Sequence, residues 1–267
     1  MRYVRVEWDG QLREARLEEW TEEGALEVTW LDRPLELGGT PRGSSVRVPR
    51  EALRAPLRPG KIVCVGQNYR KHAAELGKPV PDEPLLFLKA PSAVIGPYEA
   101  IRRPPESERV DHEGELGVVI GRRMSDVAAA DTLAHVLGYV AANDVTARDL
   151  QWRDVQFTRA KSFDSFCPVG PFIETDLDPA DVRIEVRVND ALRQDGHTSD
   201  MVFPLPHLLA YISAVMTLEP GDLVLTGTPS GVGPLNAGDV VRVALSGLGT
   251  LENPVTTRTR SSDKLRP

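Results

Sequence analysis

Glu113 and Glu115 stand one residue apart in VDHEGELGVVIGR, Val110 to Arg122, where an apolar run begins. Side chains alternate along a strand, so residues i and i+2 project to the same side. Two carboxylates that close repel, and taking them out of water is expensive. A divalent cation answers both problems. Hard cations such as Mg²⁺ take oxygen ligands and leave positions open for water or substrate. Asp144, in ANDVTARDLQ, closes another apolar segment, VLGYVAAN, and offers a third acid. Two glutamates and a distant aspartate form an incomplete shell, which suits catalysis more than a structural site. Two other readings fit the glutamates alone. One is a solvated pair at a strand edge, the common circumstance for such charges. The other is a glycosidase pair, whose carboxylates must flank a bond from opposite sides.

Further residues admit both plain and chemical readings. Lys161, in TRAKSFDSFCPVGP, is either a surface lysine or a cation that stabilises a developing oxyanion or enolate. His72 and Glu75, in YRKHAAEL, are three apart on an expected helix and share a face. They are either a solvated pair or a dyad in which glutamate orients imidazole and imidazole accepts a proton from water. His112 adjoins Glu113 but is expected on the opposite face. His135, His197 and His207 lack an acidic spacing pattern and are read as structural. TGTPSGVG, Thr226 to Gly233, is a turn, or a loop offering backbone N–H groups and the Thr228 hydroxyl to an anion. No Lys follows its glycines, so it is not a Walker A loop.

The elements that would position these residues are mostly strands. YVRVEWDGQLREARL alternates around Asp9-Gly10, a hairpin signal, and GALEVTWL adds a strand. The turn-rich GGTPRGSS and APLRPGK then separate a small β-rich unit, residues 1–57, from a main unit, residues 58–267. The main unit opens with the strand KIVCVG, and NYRKHAAELG follows as a short helix stopped by Gly77. PLLFLKAPSAVIG reads as a broken strand. SDVAAADTLAHVLGYVAANDV is expected to be a helix and then a strand ending at Asp144. RIEVRVND alternates, with Ile184, Val186 and Val188 on one face. PHLLAYISAVMTLEPGD is the clearest helix, with Leu208, Leu209, Ile212, Val215 and Met216 at helical spacing. Pro206 starts it and Pro220-Gly221 ends it. Strands dominate without regular βα alternation, which predicts an α+β, mainly β fold rather than a doubly wound sheet.

The totals exclude several classes. The chain has 267 residues, 41% of them hydrophobic, enough for a full core. Its net charge of −7 and pI near 5.4, with no basic cluster interleaved with aromatics, argue against nucleic acid. No apolar run approaches the ~18 to 20 residues that span a bilayer, and MRYVRVEWDG alternates like a strand rather than a signal peptide. Cys64 and Cys167 form no CxxC and no disulfide framework, which fits a reducing cytoplasm. Lysines are scarce beside arginines, so each one invites inspection.

Taken in order, GQNYRKHAAELG, FLKAPSAVIGP, VDHEGELGVVIGR, GYVAANDVTARDLQ, AKSFDSFCPVGP and LTGTPSGVG resemble the fumarylacetoacetate hydrolase superfamily. The resemblance covers roughly Lys61 to Pro254. It implies a mixed β-sandwich roll and a Mg²⁺ (or Mn²⁺ or Ca²⁺) site from Glu113, Glu115 and Asp144. It implies a catalytic Lys161, a dyad of His72 and Glu75 on a lid helix, and a substrate carboxylate or oxo group near Arg148, Gln151 and Thr228. It implies a homodimer and 2-oxo acid substrates. For the N-terminal unit it implies nothing. Length and the N-terminal appendage look most like the branch that isomerises 2-hydroxyhepta-2,4-diene-1,7-dioate and decarboxylates its precursor in 4-hydroxyphenylacetate breakdown. An acylpyruvate or fumarylpyruvate hydrolase, an oxaloacetate decarboxylase and a non-catalytic anion-binding protein are the alternatives.

Overall fold

The computed structural model of the protein describes residues 1–21 and 24–259. The architecture is α+β and dominated by mixed sheets, as the alternation patterns predict. The largest sheet has twelve strands. Its centre is a run of neighbours: Cys167–Glu174, Val136–Asn143, Gly114–Ile120, Leu223–Leu225, Ile62–Gly66 and Leu85–Lys89. Leu223–Leu225 and Ile62–Gly66 pair in parallel, while most of the others pair antiparallel. A second, five-stranded sheet runs Ala191–His197, Arg183–Val188, Val240–Leu245, Gly249–Thr257 and Ile101–Arg103.

The two sheets pack face to face through apolar side chains such as Val118, Val140, Ile184, Val186 and Val243. Gly114 shows how closely they approach. A Cβ there would lie 2.4 Å from Val186 Cγ2, so the residue between the two glutamates must be glycine. Ile184, Val186 and Val188 are buried, on one face of their strand.

The hairpin at Asp9-Gly10 forms, joining Arg2–Trp8 to Gln11–Trp20 with both turn residues at positive φ. Val4, Val6, Leu26 and Val28 form a second, smaller core together with Phe172 of the main unit. Strand Arg2–Trp8 also pairs with Cys167–Glu174, so the N-terminal unit extends the main sheet rather than standing apart from it.

Helices are few and short: α1 (Arg70–Glu75), α2 (Arg148–Arg153), α3 (Thr158–Lys161) and α4 (Leu205–Val215). Two expectations need correction. The stretch before Val136 is a 3₁₀ segment, Ala129–His135, not an α-helix. Only Thr132 is buried along it, too little packing to hold an isolated helix. The helix after Pro204 ends at Val215, five residues before Pro220. Met216 is extended, and Leu218 leaves to bridge Met124 through two backbone hydrogen bonds of 2.8 Å. Val215 is therefore exposed rather than on the apolar face. Among the described residues, no helix is long and apolar enough to cross a membrane. Cys64 and Cys167 are free and buried.

Candidate metal centre and active site

Glu113 sits where the chain passes from the short strand Val110–His112 to Gly114–Ile120 in the large sheet. The backbone stays extended across this junction because Asn143 Oδ1 accepts from Glu113 N at 2.9 Å and Asp144 N donates to Glu113 O at 2.8 Å. The antiparallel register sets Gly114 opposite Asn143 and Glu115 opposite Ala142, which brings Asp144 beside Glu113. One oxygen from each of Glu113, Glu115 and Asp144 lies within 4.8 Å of the others, and all three side chains are buried.

Lys161, at the end of α3, reaches into this cluster. Its Nζ donates to Glu113 Oε2 at 2.7 Å and to Asp144 Oδ2 at 2.6 Å, and sits 4.8 Å from the centre of the Phe87 ring. A third N–H is left for a ligand. Arg148, at the start of α2, donates from Nε to Asp111 Oδ2 at 3.0 Å, from Nη1 to Gln151 Oε1 at 2.6 Å, and from Nη2 to Glu113 Oε1. Its guanidinium is thus largely committed to protein partners. Gln151 has its oxygen on Arg148, so its NH₂ is the donor free for a ligand. The Thr228 hydroxyl donates to Gly114 O at 2.8 Å.

His72 and Glu75 lie on one face of α1, as the i, i+3 spacing predicts. His72 Nδ1 is 3.1 Å from Glu75 Oε2, and Glu75 Oε1 accepts from Gly231 N at 3.0 Å. Glu75 therefore orients the imidazole and ties α1 to the Thr226–Gly233 loop. An ionised carboxylate only accepts, so Nδ1 carries the proton and Nε2 the lone pair. His112 stays out of the pocket, as expected; its Nδ1 is 3.0 Å from Gln194 Oε1. His135 and His197 are tied to Arg123 O and Asp181.

Three contributors were not singled out from the sequence. Lys89 Nζ donates to Asp144 Oδ1 at 2.6 Å and to Val145 O at 3.1 Å, with its side chain fully buried. The scarcity of lysine was the one signal that could have found it. Asp111 is buried between Arg109 and Arg148. Gln194 comes from the second sheet, and nothing in its local sequence marks it.

The electrostatics follow from burial and these partners. Burial opposes charge on Glu113, but the Lys161 ammonium and the Arg148 guanidinium hold its carboxyl well below the ordinary range. Glu115 is pushed the other way. Burial, then the charges of Asp144 and Glu113, raise it well above the usual carboxylate value. Burial also works against the Lys161 ammonium, yet Asp144 and Glu113 keep it firmly charged. Glu115 has no ion-pair partner among the described residues; its Oε2 accepts from Gly227 N at 2.8 Å. Four buried acids (Asp111, Glu113, Glu115, Asp144) are met by three buried cations (Lys89, Arg148, Lys161). A carboxylate trio with one unpaired member and oxygen donors only fits a hard divalent cation.

These groups line a cavity of about 340 Å³, a size suited to a small acid. Glu113, Glu115, Asp144, Lys161, Arg148, Gln151, Thr228 and His72 all reach it, while Leu76, Leu85, Phe87, Trp152 and Phe157 supply apolar wall.

Comparison with known proteins shows the family. Residues 61–256 match the fumarylacetoacetate (FAA) hydrolase C-terminal family. The structure of a 2-hydroxyhepta-2,4-diene-1,7-dioate isomerase from Mycobacterium marinum superposes with a TM-score of 0.87 at 43% identity, covering 97% of this chain and 100% of that one. A fumarylacetoacetate hydrolase from Exiguobacterium antarcticum superposes with a TM-score of 0.85 at 39% identity and the same coverage. The mitochondrial oxaloacetate tautomerase FAHD2B of Bos taurus is 46% identical over 214 residues, 75% of this chain and 68% of that protein. With the matched segment spanning the whole of the acidic, lysine-braced pocket, the chain belongs to the fumarylacetoacetate hydrolase family, a family of enzymes.

Proposed function

We propose that the protein is a divalent-metal-dependent isomerase of 2-oxo or 2-hydroxydienoic dicarboxylic acids. It would shift a proton between the 2-oxygen and a carbon of the chain. The observation that carries this reading is the pairing, in one small cavity, of the Glu113–Glu115–Asp144 trio with Lys161 and a glutamate-oriented His72. The best candidate substrate is 2-hydroxyhepta-2,4-diene-1,7-dioate, in keeping with the isomerase that shares 43% identity and nearly full length. Oxaloacetate is the second candidate, in keeping with the tautomerase relative.

Glu113, Glu115 and Asp144 would hold the cation, with Mg²⁺ the first choice and Mn²⁺ or Ca²⁺ sharing its preference for oxygen. When bound, it supplies Lewis acidity for a 2-oxo group and the carboxylate next to it. Lys161 stabilises negative charge as it develops on the 2-oxygen. Gln151 donates to a substrate oxygen, held in place by Arg148. His72 takes a proton through Nε2 and returns it to a different atom, so the reaction is balanced without water. The same dyad could activate water, which is the route to acylpyruvate hydrolysis. Loss of CO₂ from oxaloacetate would need only the charge-stabilising groups.

We further propose a homodimer in a reducing compartment. Trp152, 64% exposed, and Val155, 94% exposed, give apolar surface beside the pocket that a second copy would cover. The deciding experiment offers the enzyme the seven-carbon dienoate, oxaloacetate and an acylpyruvate in Mg²⁺, with and without chelator. Chelator-sensitive isomerisation of the first or second supports the reading. Turnover of acylpyruvate alone, or turnover indifferent to chelator, overturns it.

A further inference from the structure

Two walls of the cavity run from the groups assigned to the chemistry into apolar surface. On strand Leu85–Lys89 the ring of Phe87 lies 4.8 Å from Lys161 Nζ. Leu85 lines the cavity from the same side of that strand, about 7 Å farther along it. Gly66 pairs with Leu85, and Gln67 is the next residue beyond that pair. Along α1 the order repeats. His72 comes first, Leu76 follows one helical turn later, and Lys78 stands just past the helix end. Each wall thus passes through a leucine to a polar side chain, and Gln67 and Lys78 both line the cavity.

The backbone holds both polar residues in place, and the protein uses neither side chain. Gly77 is at φ 65°, so its N–H donates to Ala74 O at 3.0 Å and that of Lys78 to Ala73 O at 2.9 Å. This pair of bonds closes the helix and fixes the direction in which the chain leaves it. Gln67 is at φ 55°, a left-handed conformation that residues other than glycine seldom take and that clusters at ligand-binding positions. Among the described residues neither the Gln67 amide nor the Lys78 ammonium has a hydrogen-bond or ion-pair partner. Lys161 and Arg148, the other long cations of the cavity, are both tied to Glu113.

We propose that Lys78, with the Gln67 amide as a second donor, binds the far carboxylate of the substrate and makes the site selective for long dicarboxylic acids. This rests on the 2-oxo acid reading above. The 2-oxo group and its carboxylate meet the cation, Lys161 and Gln151, and the carbon chain runs past Leu76 and Leu85. An ammonium and an amide NH₂ are donors that a carboxylate accepts and a methyl group does not. In the seven-carbon dienoate five carbons separate the two carboxylates. In oxaloacetate two do, so its second carboxylate stops short of Lys78. The lysine therefore favours the longer acid.

Calorimetry on the Mg²⁺-loaded protein with 2-oxoheptanedioate and 2-oxoheptanoate isolates the far end, because these acids differ only in a terminal carboxylate against a methyl group. The native protein is expected to bind the dioate about three- to tenfold more tightly, the size of a partly exposed charged contact. Lys78→Met should bring the two within about twofold by weakening the dioate alone. Lys78→Glu should reverse the preference. Added salt should narrow the native preference and leave that of Lys78→Met unmoved. Gln67→Leu should also weaken the dioate selectively; a variant that binds both acids as the native protein does strikes the amide from the site. A lysine that only caps its helix would, on replacement, weaken both acids alike or neither. Either of those results, or equal native affinities for the two acids, overturns the proposal and leaves the 2-oxo acid reading intact. If neither acid binds the native protein, that reading fails and the proposal with it.

Discussion

Lys89 Nζ stands 2.6 Å from Asp144 Oδ1, and neither side chain is open to solvent. On its other oxygen Asp144 meets Lys161, also at 2.6 Å. A candidate metal ligand is thus held between two ammonium groups. This lets three acids gather in the core before any cation arrives, and it fixes the rotamer of the carboxylate that would bind.

Breaking one side of this arrangement should be costly. Lys89→Met leaves Asp144 with a single ammonium partner in a buried site. The metal-free protein is expected to lose stability, but less than the roughly 3–5 kcal/mol that orphaning a buried charge costs, because Lys161 still pairs with Asp144. Saturating Mg²⁺ should raise Tm more in this variant than in the native chain, because the ion replaces the missing positive charge. Urea unfolding and thermal scans with and without Mg²⁺ measure both effects. An equal Mg²⁺ response in the two proteins would separate Lys89 from the metal site.

Glu115 behaves differently, because it makes no ion pair among the described residues and its neighbours Asp144 and Glu113 repel its charge. Glu115→Gln removes that repulsion at nearly constant shape. The metal-free variant should be as stable as the native protein or more so. Its Mg²⁺ affinity should fall by more than about 100-fold, beyond what loss of an outer-shell partner costs. Calorimetric titration paired with urea unfolding tests the two halves separately. A variant that binds Mg²⁺ normally excludes Glu115 as a ligand.

The dyad offers a tautomer test. Glu75→Gln keeps an acceptor for Gly231 N while its NH₂ donates to His72 Nδ1, moving the imidazole proton to Nε2. Turnover should drop about 10²- to 10⁴-fold with substrate affinity changed little, the size of a lost general base. Deuterium uptake from solvent into the substrate carbon should fall in step. If uptake is untouched, His72 is not the group that moves the proton.

The cysteines predict a pH response. Burial pushes the Cys167 thiol up to about 12, and burial also holds the Cys64 thiol well above its ordinary value. A raised thiol pKa means the neutral form is the one that persists as pH climbs. At pH 8 only roughly one Cys167 in ten thousand would be thiolate. Neither cysteine should react with a thiol reagent in the native protein between pH 7 and 9, and both should react in urea. Mass spectrometry after labelling reads this directly. Fast native labelling at pH 8 would show that strands Ile62–Gly66 or Cys167–Glu174 open locally.

Much of the fold was legible from local patterns. Asp9-Gly10 marked its hairpin, Arg183–Val188 alternated as a half-buried strand does, and Gly77 closed the helix carrying His72. Segments failed where packing decided. Ala129–His135 has helical composition but no buried face, and the chain beyond Val215 leaves its helix to pair with Met124. No local pattern contains those partners.

The site divides along the same line. The residue types of Glu113, Glu115, Asp144, Lys161, His72 and Glu75, with their spacing and block order, were enough by themselves to name a chemistry. The sequence could not say which hydrogen bonds occupy them. Arg148 and Thr228 each read as donors for a ligand, and in the fold Arg148 turns to Asp111, Gln151 and Glu113 while Thr228 turns to Gly114 O. Lys89 and Gln194 reach the centre from strands 55 residues before Asp144 and 34 before Thr228. Pairing at that separation is set by strand register and sheet stacking, so donor and acceptor direction in the pocket exists only once the two sheets have closed on each other.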